Sequence, residues 1–220
     1  MILLRKIKTF LRITKEKAYR KKQQTRILNK DFTLLSNHCW GGGIYEELGL
    51  PYTTPLVGLY FYGPCYLKFL QNLKYNLSCD LRFVTVSKYD IANDSRESGS
   101  KYPIGVIGEI EIHFLHYHSE LEAREKWNRR RARVNLNNLF VEMSENEYVD
   151  VEIMKAFQKL PFENKVILSS KNFKDIENLI YLPLTETMEN VGDLYNNPKL
   201  WRKEFDVVKW LNDGTLTTGL

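Results

Sequence analysis

The chain has 220 residues, 43% of them hydrophobic, and a formal net charge of +5. That length supports one substantial core or two small ones, and no apolar run nears the roughly 20 residues that a helical membrane span requires. Cys39, Cys65 and Cys79 are odd in number and lack CxxC spacing, which argues against a disulfide framework or a structural zinc site.

The charge is concentrated at one end. Residues 1–30 hold eleven of the 32 Lys/Arg residues and one of the 27 acids, Glu16, so this segment carries +10 and the remainder −5. At 100° per residue Leu3, Leu4, Ile7, Phe10, Leu11, Thr14 and Ala18 share one face, while Arg5, Lys6, Lys8, Arg12, Lys15 and Lys17 lie away from it. Ile2 and Ile13 break the pattern. The reading is a basic amphipathic helical arm over 1–30, followed by a single α/β domain over 31–220. Such an arm suits an anionic membrane surface; a docked or oligomer helix is the alternative. Nucleic acid is not an expected partner, because the apolar stripe would face nothing. Arg5, Lys6 and Lys8 also interrupt any signal-peptide apolar core. The expected location is therefore cytoplasmic, peripheral to the inner face of the membrane, where the Asn76 and Asn93 sequons have no meaning for glycosylation.

Beyond the arm, strand and helix patterns alternate. Strands are expected at 32–36, 56–62, 81–87, 104–117, 139–144, 165–169 and 179–182, and helices at 44–49, 64–77, 119–134, 149–160 and 198–212. This order predicts α/β layers: a mixed, partly parallel sheet flanked by helices. Gly105 and Gly108 interrupt the 104–117 stretch, which is read as a hairpin or a bulged strand. The polar 91–102 stretch is read as a mobile or exposed loop, and the tail 212–220 as frayed.

The stretch Ser36-Asn37-His38-Cys39-Trp40-Gly41-Gly42-Gly43-Ile44-Tyr45 lies between an apolar strand and a helix. Glycines there let a backbone approach a ligand, and a helix N-terminus favours an anion. The bland alternative is a tight connection with Cys39 and Trp40 packed inward. Cys39 is a weak candidate nucleophile, since a helix N-terminus lowers a thiol pKa.

Further on, Ser119 and Glu122 form a capping box. The helix they open carries Ala123, Trp127, Arg130 and Val134 on one stripe. An arginine inside an apolar stripe needs a carboxylate or a ligand phosphate, and Arg129 and Arg133 form a second ridge. Before this helix, Glu109, Glu111 and His113 share one strand face; they could hold a divalent cation, and a wet sheet face gives the same pattern. His116 lies where strand gives way to helix, near where ligands gather in open α/β sheets, and is the first candidate base, with a satisfied core histidine as the alternative. No GxxxxGK[ST], GxSxG, HExxH or GxGxxG motif occurs.

Ser36-Asn37-x-Cys39-x-Gly-Gly-x-Ile44-Tyr45, Tyr52-x-x-Pro55, Val57-Gly58-Leu59, Tyr102-Pro103-Ile-Gly105 and the run from Phe114 through His116, Tyr117, Ser119, Glu122, Ala123, Trp127, Arg130 and Arg133 to Asn135 and Asn138 resemble the DUF1919 family over residues 31–215. That resemblance implies an α/β fold and a part in exopolysaccharide or capsular polysaccharide biosynthesis, with no assigned reaction. The combined expectation is a glycosyltransferase-like group transferase at the cytoplasmic membrane face, with a phosphate-containing activated donor and a lipid-linked acceptor. His116 and Glu122 are the catalytic candidates. Ser36, Asn37, Cys39, Gly41, Gly42, Gly43, Tyr45, Tyr117, Trp127, Arg130, Arg133 and Asn135 are the substrate-binding candidates. Mg²⁺ or Mn²⁺ as cofactor stays open. The alternatives are an acyl or phospho-alditol transferase, and a non-enzymatic binding or scaffold module.

Overall fold

The computed structural model describes residues 2–99 and 101–219, and side chains there except those of residues 2–4 and 8. The expected face positions Leu3, Leu4 and Lys8 therefore lie outside the described side chains, as Ser100 and Leu220 lie outside the described residues.

Four short apolar strands, β1 (Thr33–Ser36), β5 (Leu139–Ser144), β6 (Asn164–Ser169) and β7 (Leu179–Tyr181), form an all-parallel sheet in the order β1-β5-β6-β7. A separate antiparallel meander joins β2 (Arg82–Val84), β3 (Ile104–Ile107) and β4 (Ile110–His113). The fold is thus α/β, with the parallel and antiparallel pairings segregated into two sheets.

Side chains alternate across the parallel sheet and both faces are covered. Leu35, Val141, Met143 and Ile167 pack toward α3 (Gly63–Gln71), α7 (Val151–Gln158), Trp127 of α6 (Glu120–Arg131) and the small sheet. Leu34, Phe140, Val166 and Leu168 pack on the opposite side with α2 (Trp40–Leu48) and α8 (Val207–Asp213), including Trp40 and Trp210.

The arm is one helix, α1 (Ile2–Arg26). Its C-terminal end is docked: Gln23 and the following Ile27 are buried, and Arg202 bonds both oxygens of Glu16 at 2.7 Å and Glu47 of α2 at 2.5 Å. Its front half leaves Ile7, Phe10 and Leu11 exposed.

Several expected elements changed for local reasons. Residues 56–62 form no strand, only a bridge from Tyr60 to His113, because Gly58 takes φ +69° and turns the chain. The 64–77 helix divides at Asn72 into α3 and α4 (Leu73–Ser78), and the Asn76 amide donates to the Phe69 carbonyl at the break. The expected loop at 91–102 contains α5 (Asp90–Ser98), anchored by Asn93, which accepts from Ser87 N–H and donates to the Ser87 carbonyl. The 198–212 helix is a 3-10 turn at Pro198–Leu200 and then α8, which starts where Asp206 caps Lys209 N–H.

On β5, Glu142 is fully buried and accepts a hydrogen bond from the Ser144 hydroxyl, while its Oε2 has no partner among the described residues. Burial pushes its carboxyl up to about 7, against the pull of the Ser144 and Ser36 hydroxyls. Between about pH 4.5 and about 7 the folded protein keeps a proton here that the unfolded chain has lost, so this group's contribution to stability falls as pH rises through that window. Relative to Glu142→Gln, the wild-type protein should lose on the order of 3 kcal/mol between about pH 4 and about pH 8. Urea unfolding across that range checks it; parallel profiles would refute it.

Candidate functional site

β1 ends at Ser36 and the chain enters α2 within four residues, at the carboxyl edge of the parallel sheet. His38 accepts the Trp40 N–H on Nδ1 at 2.9 Å. Burial pushes this imidazole down to about 4, so it is a neutral acceptor that caps the helix. The first helical donor in α2 is Gly43 N–H, bonded to the Cys39 carbonyl at 3.1 Å. The Gly41 and Gly42 N–H groups therefore precede the helical ladder and have no helical acceptor.

The three glycines belong to the first turn of α2 and do not form a loop cradle. A Cβ on Gly41 would meet Ser36 Cβ at 2.7 Å, one on Gly42 would touch Val57 at 3.4 Å, and one on Gly43 would meet the Tyr195 ring at 2.7 Å. They let a helix press against its own strand, against the 56–58 crossing and against a tyrosine ring.

A cavity of about 200 Å³ opens beside this turn, lined by Cys39, Gly42, Glu46, Val57, Gly58, His116, Tyr117, Lys126, Arg130 and Tyr195. The 36–45 and 116–133 segments, far apart in sequence, thus share one cleft. Arg130 is 9% exposed. Its Nη1 donates to the Tyr117 hydroxyl at 2.5 Å and to the Val57 carbonyl at 3.4 Å, and its guanidinium lies 5.1 Å from the Tyr52 ring centroid. Among the described residues no carboxylate lies within 4.0 Å of it. The Tyr117 hydroxyl in turn donates to the Val57 carbonyl at 2.5 Å. Lys126 is bonded to Glu122 and lies 5.2 Å from the Tyr117 ring centroid. Glu46 is held by the hydroxyls of Tyr52 and Tyr195, each at 2.8 Å. His116 is exposed on the wall, its N–H bonded to the Gly58 carbonyl at 3.1 Å.

Several sequence candidates are engaged elsewhere. The buried Ser36 hydroxyl bonds the His38 carbonyl, and the Asn37 amide clasps both backbone groups of Ser144. The Tyr45 hydroxyl accepts from Leu34 N–H and bonds Thr53 inside the core. Trp127 is core. Asn135 builds a turn with Thr33, Asp31 and Asn137. Arg133 is exposed, 3.5 Å from the Tyr52 carbonyl, and off the cavity. Glu122 accepts from Lys126 on Oε1 and from His118 N–H on Oε2, which lowers its pKa and holds it at the helix cap. Cys39 does not meet the expectation of an activated thiol, since burial, with Asp193 and Glu46, pushes it up to about 11.

The expected Glu109, Glu111 and His113 face divides between an exposed turn and a buried strand. Glu109 sits in the hairpin turn and pairs with Lys68 at 2.7 Å. Glu111 and His113 are buried together, with Ser87 O–H and Lys88 N–H donating to the carboxylate. Among the described residues no group of three or more His, Cys, Asp or Glu side chains could hold a metal ion.

Sequence reasoning missed Lys126, Glu46 and Tyr195. Two of these had a signal: Lys126 lies one turn before Arg130, and Glu46 one turn after Gly42. Tyr195 had none, as it arrives from the far end of the chain.

The chain belongs to the DUF1919 family, whose model, described as a domain of unknown function, matches residues 10–212. A Haemophilus influenzae protein described as uncharacterized is 36% identical over 193 residues, covering 86% of this chain and 88% of that one. The family match starts inside α1, earlier than the sequence resemblance beginning at residue 31.

The glycine contacts differ in what can yield. Gly41→Ala gains about 1 kcal/mol of helix propensity but drives Cβ into the Ser36 Cβ, which is fixed to the β1 backbone and cannot swing aside, so a net loss of about 1–2 kcal/mol is expected. Gly43→Ala meets an exposed ring that can swing aside, and should cost less than Gly41→Ala. Thermal melts of the two variants decide it; equal losses would mean the Ser36 contact is not the limiting one.

Proposed function

We propose that this DUF1919 protein holds the phosphate of an activated donor in the cavity between α2 and α6 and transfers the attached group, glycosyl transfer being the leading reaction, in surface-polysaccharide assembly. The supporting observation is Arg130. A guanidinium stays charged at any physiological pH, and burying it without an anion is costly. A phosphate would balance it, and the Gly42 N–H, which precedes the helical ladder on the cavity wall, favours the same charge. The small volume suits the phosphate end of a donor, with the rest at the mouth. The polysaccharide setting rests on the family resemblance of the sequence.

In this reading His116 is the base. The acceptor hydroxyl oxygen bonds to the donor carbon, the carbon–oxygen bond to phosphate breaks, the hydroxyl proton passes to His116, and the departing phosphate keeps its charge opposite Arg130. This role for His116 rests on its place on the cavity wall.

A thermal-shift panel on the full chain tests it, with UDP-, GDP-, CMP- and CDP-linked donors and acetyl-CoA, each with and without Mg²⁺ or Mn²⁺. A donor at 100 times its Kd stabilises by about 2.7 kcal/mol. The expected result is a selective shift that Arg130→Gln abolishes, while the unliganded variant is at least as stable as wild type because an uncompensated charge has gone. A flat panel on folded protein would move the reading to a non-enzymatic binding module.

We also read the front half of α1 as the contact with an anionic membrane, because Ile7, Phe10 and Leu11 are exposed on a helix that carries Arg5, Lys6, Arg12 and Lys15. Phe10 is 69% exposed. Full-length protein should sediment with phosphatidylglycerol vesicles and not with phosphatidylcholine vesicles, and Phe10→Ser with Leu11→Ser should release it. Unchanged sedimentation of that variant would overturn the reading.

A further inference from the structure

α2 presents a second face. Trp40, Gly43, Ile44 and Glu47 follow i, i+3, i+4, i+7 spacing and line a groove of about 600 Å³ between α2 and α1. Ile13, Lys17 and Arg20 of α1 close one side, and Tyr195, Trp201 and Arg202 the other. Glu46 and Tyr195 border both this groove and the Arg130 cavity, so α2 is a wall common to two sites.

The groove is polar at its floor and cationic at its rim. Trp40 and Glu47 are 1% and 4% exposed, and Trp40 Nε1, Glu47 Oε1 and Arg202 Nε have no partner among the described residues. Two of the acids are neutralised from within, Glu16 and Glu47 by Arg202 and Glu16 also by Arg20, while Glu46 is held by tyrosine hydroxyls. Arg12 and Lys17, both exposed, have no carboxylate within 4.0 Å among the described residues. Toward the front of α1 the groove is continued by an apolar track. Ile13 lines the groove and also a hollow of about 480 Å³ bordered by Arg5, Lys6, Thr9 and Phe10.

We infer that the α1–α2 groove binds a lipid phosphate monoester. Its phosphate lies between Arg12 and Lys17 at the rim, and its chain runs along Ile13 and Phe10. A free phosphate would leave the apolar track empty. A choline headgroup would set a cation against Arg12 and Lys17. The inference is independent of the Arg130 cavity, since none of its ligand-holding residues is shared with that site.

Calorimetric titration of the full chain tests it, with dihexanoyl phosphatidic acid below its micellar concentration, dihexanoyl phosphatidylcholine and inorganic phosphate as probes. Phosphatidic acid should bind at least about tenfold more tightly than either comparison probe. Arg12→Gln with Lys17→Gln should remove that advantage, as should Ile13→Ser through the chain, while Arg130→Gln leaves it intact. Equal binding of inorganic phosphate would reduce the groove to an ion site, and equal binding of phosphatidylcholine to an apolar surface. Loss in Arg130→Gln alone would put the phosphate in the cavity. Each of these overturns the inference, and none depends on whether a donor binds at Arg130.

Discussion

One amide fixes the geometry around which the candidate site is built. Asn37, the residue after β1, donates to the Ser144 carbonyl at 3.0 Å and accepts from its N–H at 2.9 Å, so its side chain continues the β1–β5 ladder one step past the end of the strand. Its own carbonyl accepts from Phe61 N–H at 2.8 Å. Buried amide groups of this kind must be paired, and here the pairing holds three segments together at the carboxyl edge. With Asn37 set, the 56–61 crossing is set, and with it Val57 and Gly58 on the cavity wall. A residue the sequence marked as a ligand contact is thus the fastener of the scaffold that carries the cavity wall.

Against that rigid frame Arg130 stands out. Among the half-buried arginines, Arg202 is matched by Glu16 and Glu47, Arg26 by Asp206 at 2.5 Å and Arg131 by Asp80 at 3.3 Å, while Arg96 meets the Thr85 carbonyl and the Tyr102 ring; Arg130 is the more deeply buried. Arg130 has a phenol, a carbonyl and an aromatic face instead. Neutral acceptors orient a guanidinium without compensating its charge, and Glu46 on the same cavity wall is held by two tyrosine hydroxyls rather than by Arg130. The same polar contacts keep the fork stiff, which is the condition for recognising an anion with little loss of side-chain freedom.

α2 links the two sites through its composition. Without side chains at 41–43 the helix can lie close to β1 and Val57 on one side and to Tyr195 on the other. Its two faces then look into separate recesses, one bounded by α6 and the other by α1. The docked half of α1 is consequently part of the body's architecture: Glu16 completes the Arg202 network, and Gln24 donates to the Glu47 carbonyl at 3.1 Å. The basic, apolar front half has no such contacts with Ile7, Phe10 or Leu11, all of which remain open to solvent.

Local pattern was enough for much of this. The apolar runs at 33–36, 139–144 and 164–169, the capping box at Ser119 and the amphipathic arm were legible because strand and helix periods and cap chemistry are written in neighbouring residues. The stripe placing Arg130 among apolar residues also exposed its need for a counter-charge. Tertiary structure decided the rest. Gly41–Gly43 serve packing rather than cradling, and Ser36, Asn37, Tyr45 and Asn135 serve the frame, because a polar residue's task depends on which backbone groups lie opposite it. Tyr195 reaches the site from more than 60 residues beyond α6. Glu111 and His113 alternate as a wet face would, yet both faces of their strand are covered. Sequence by itself determined where charge and apolar surface repeat; only the folded chain determined which charges meet a partner, since burial and pairing are properties of distant neighbours.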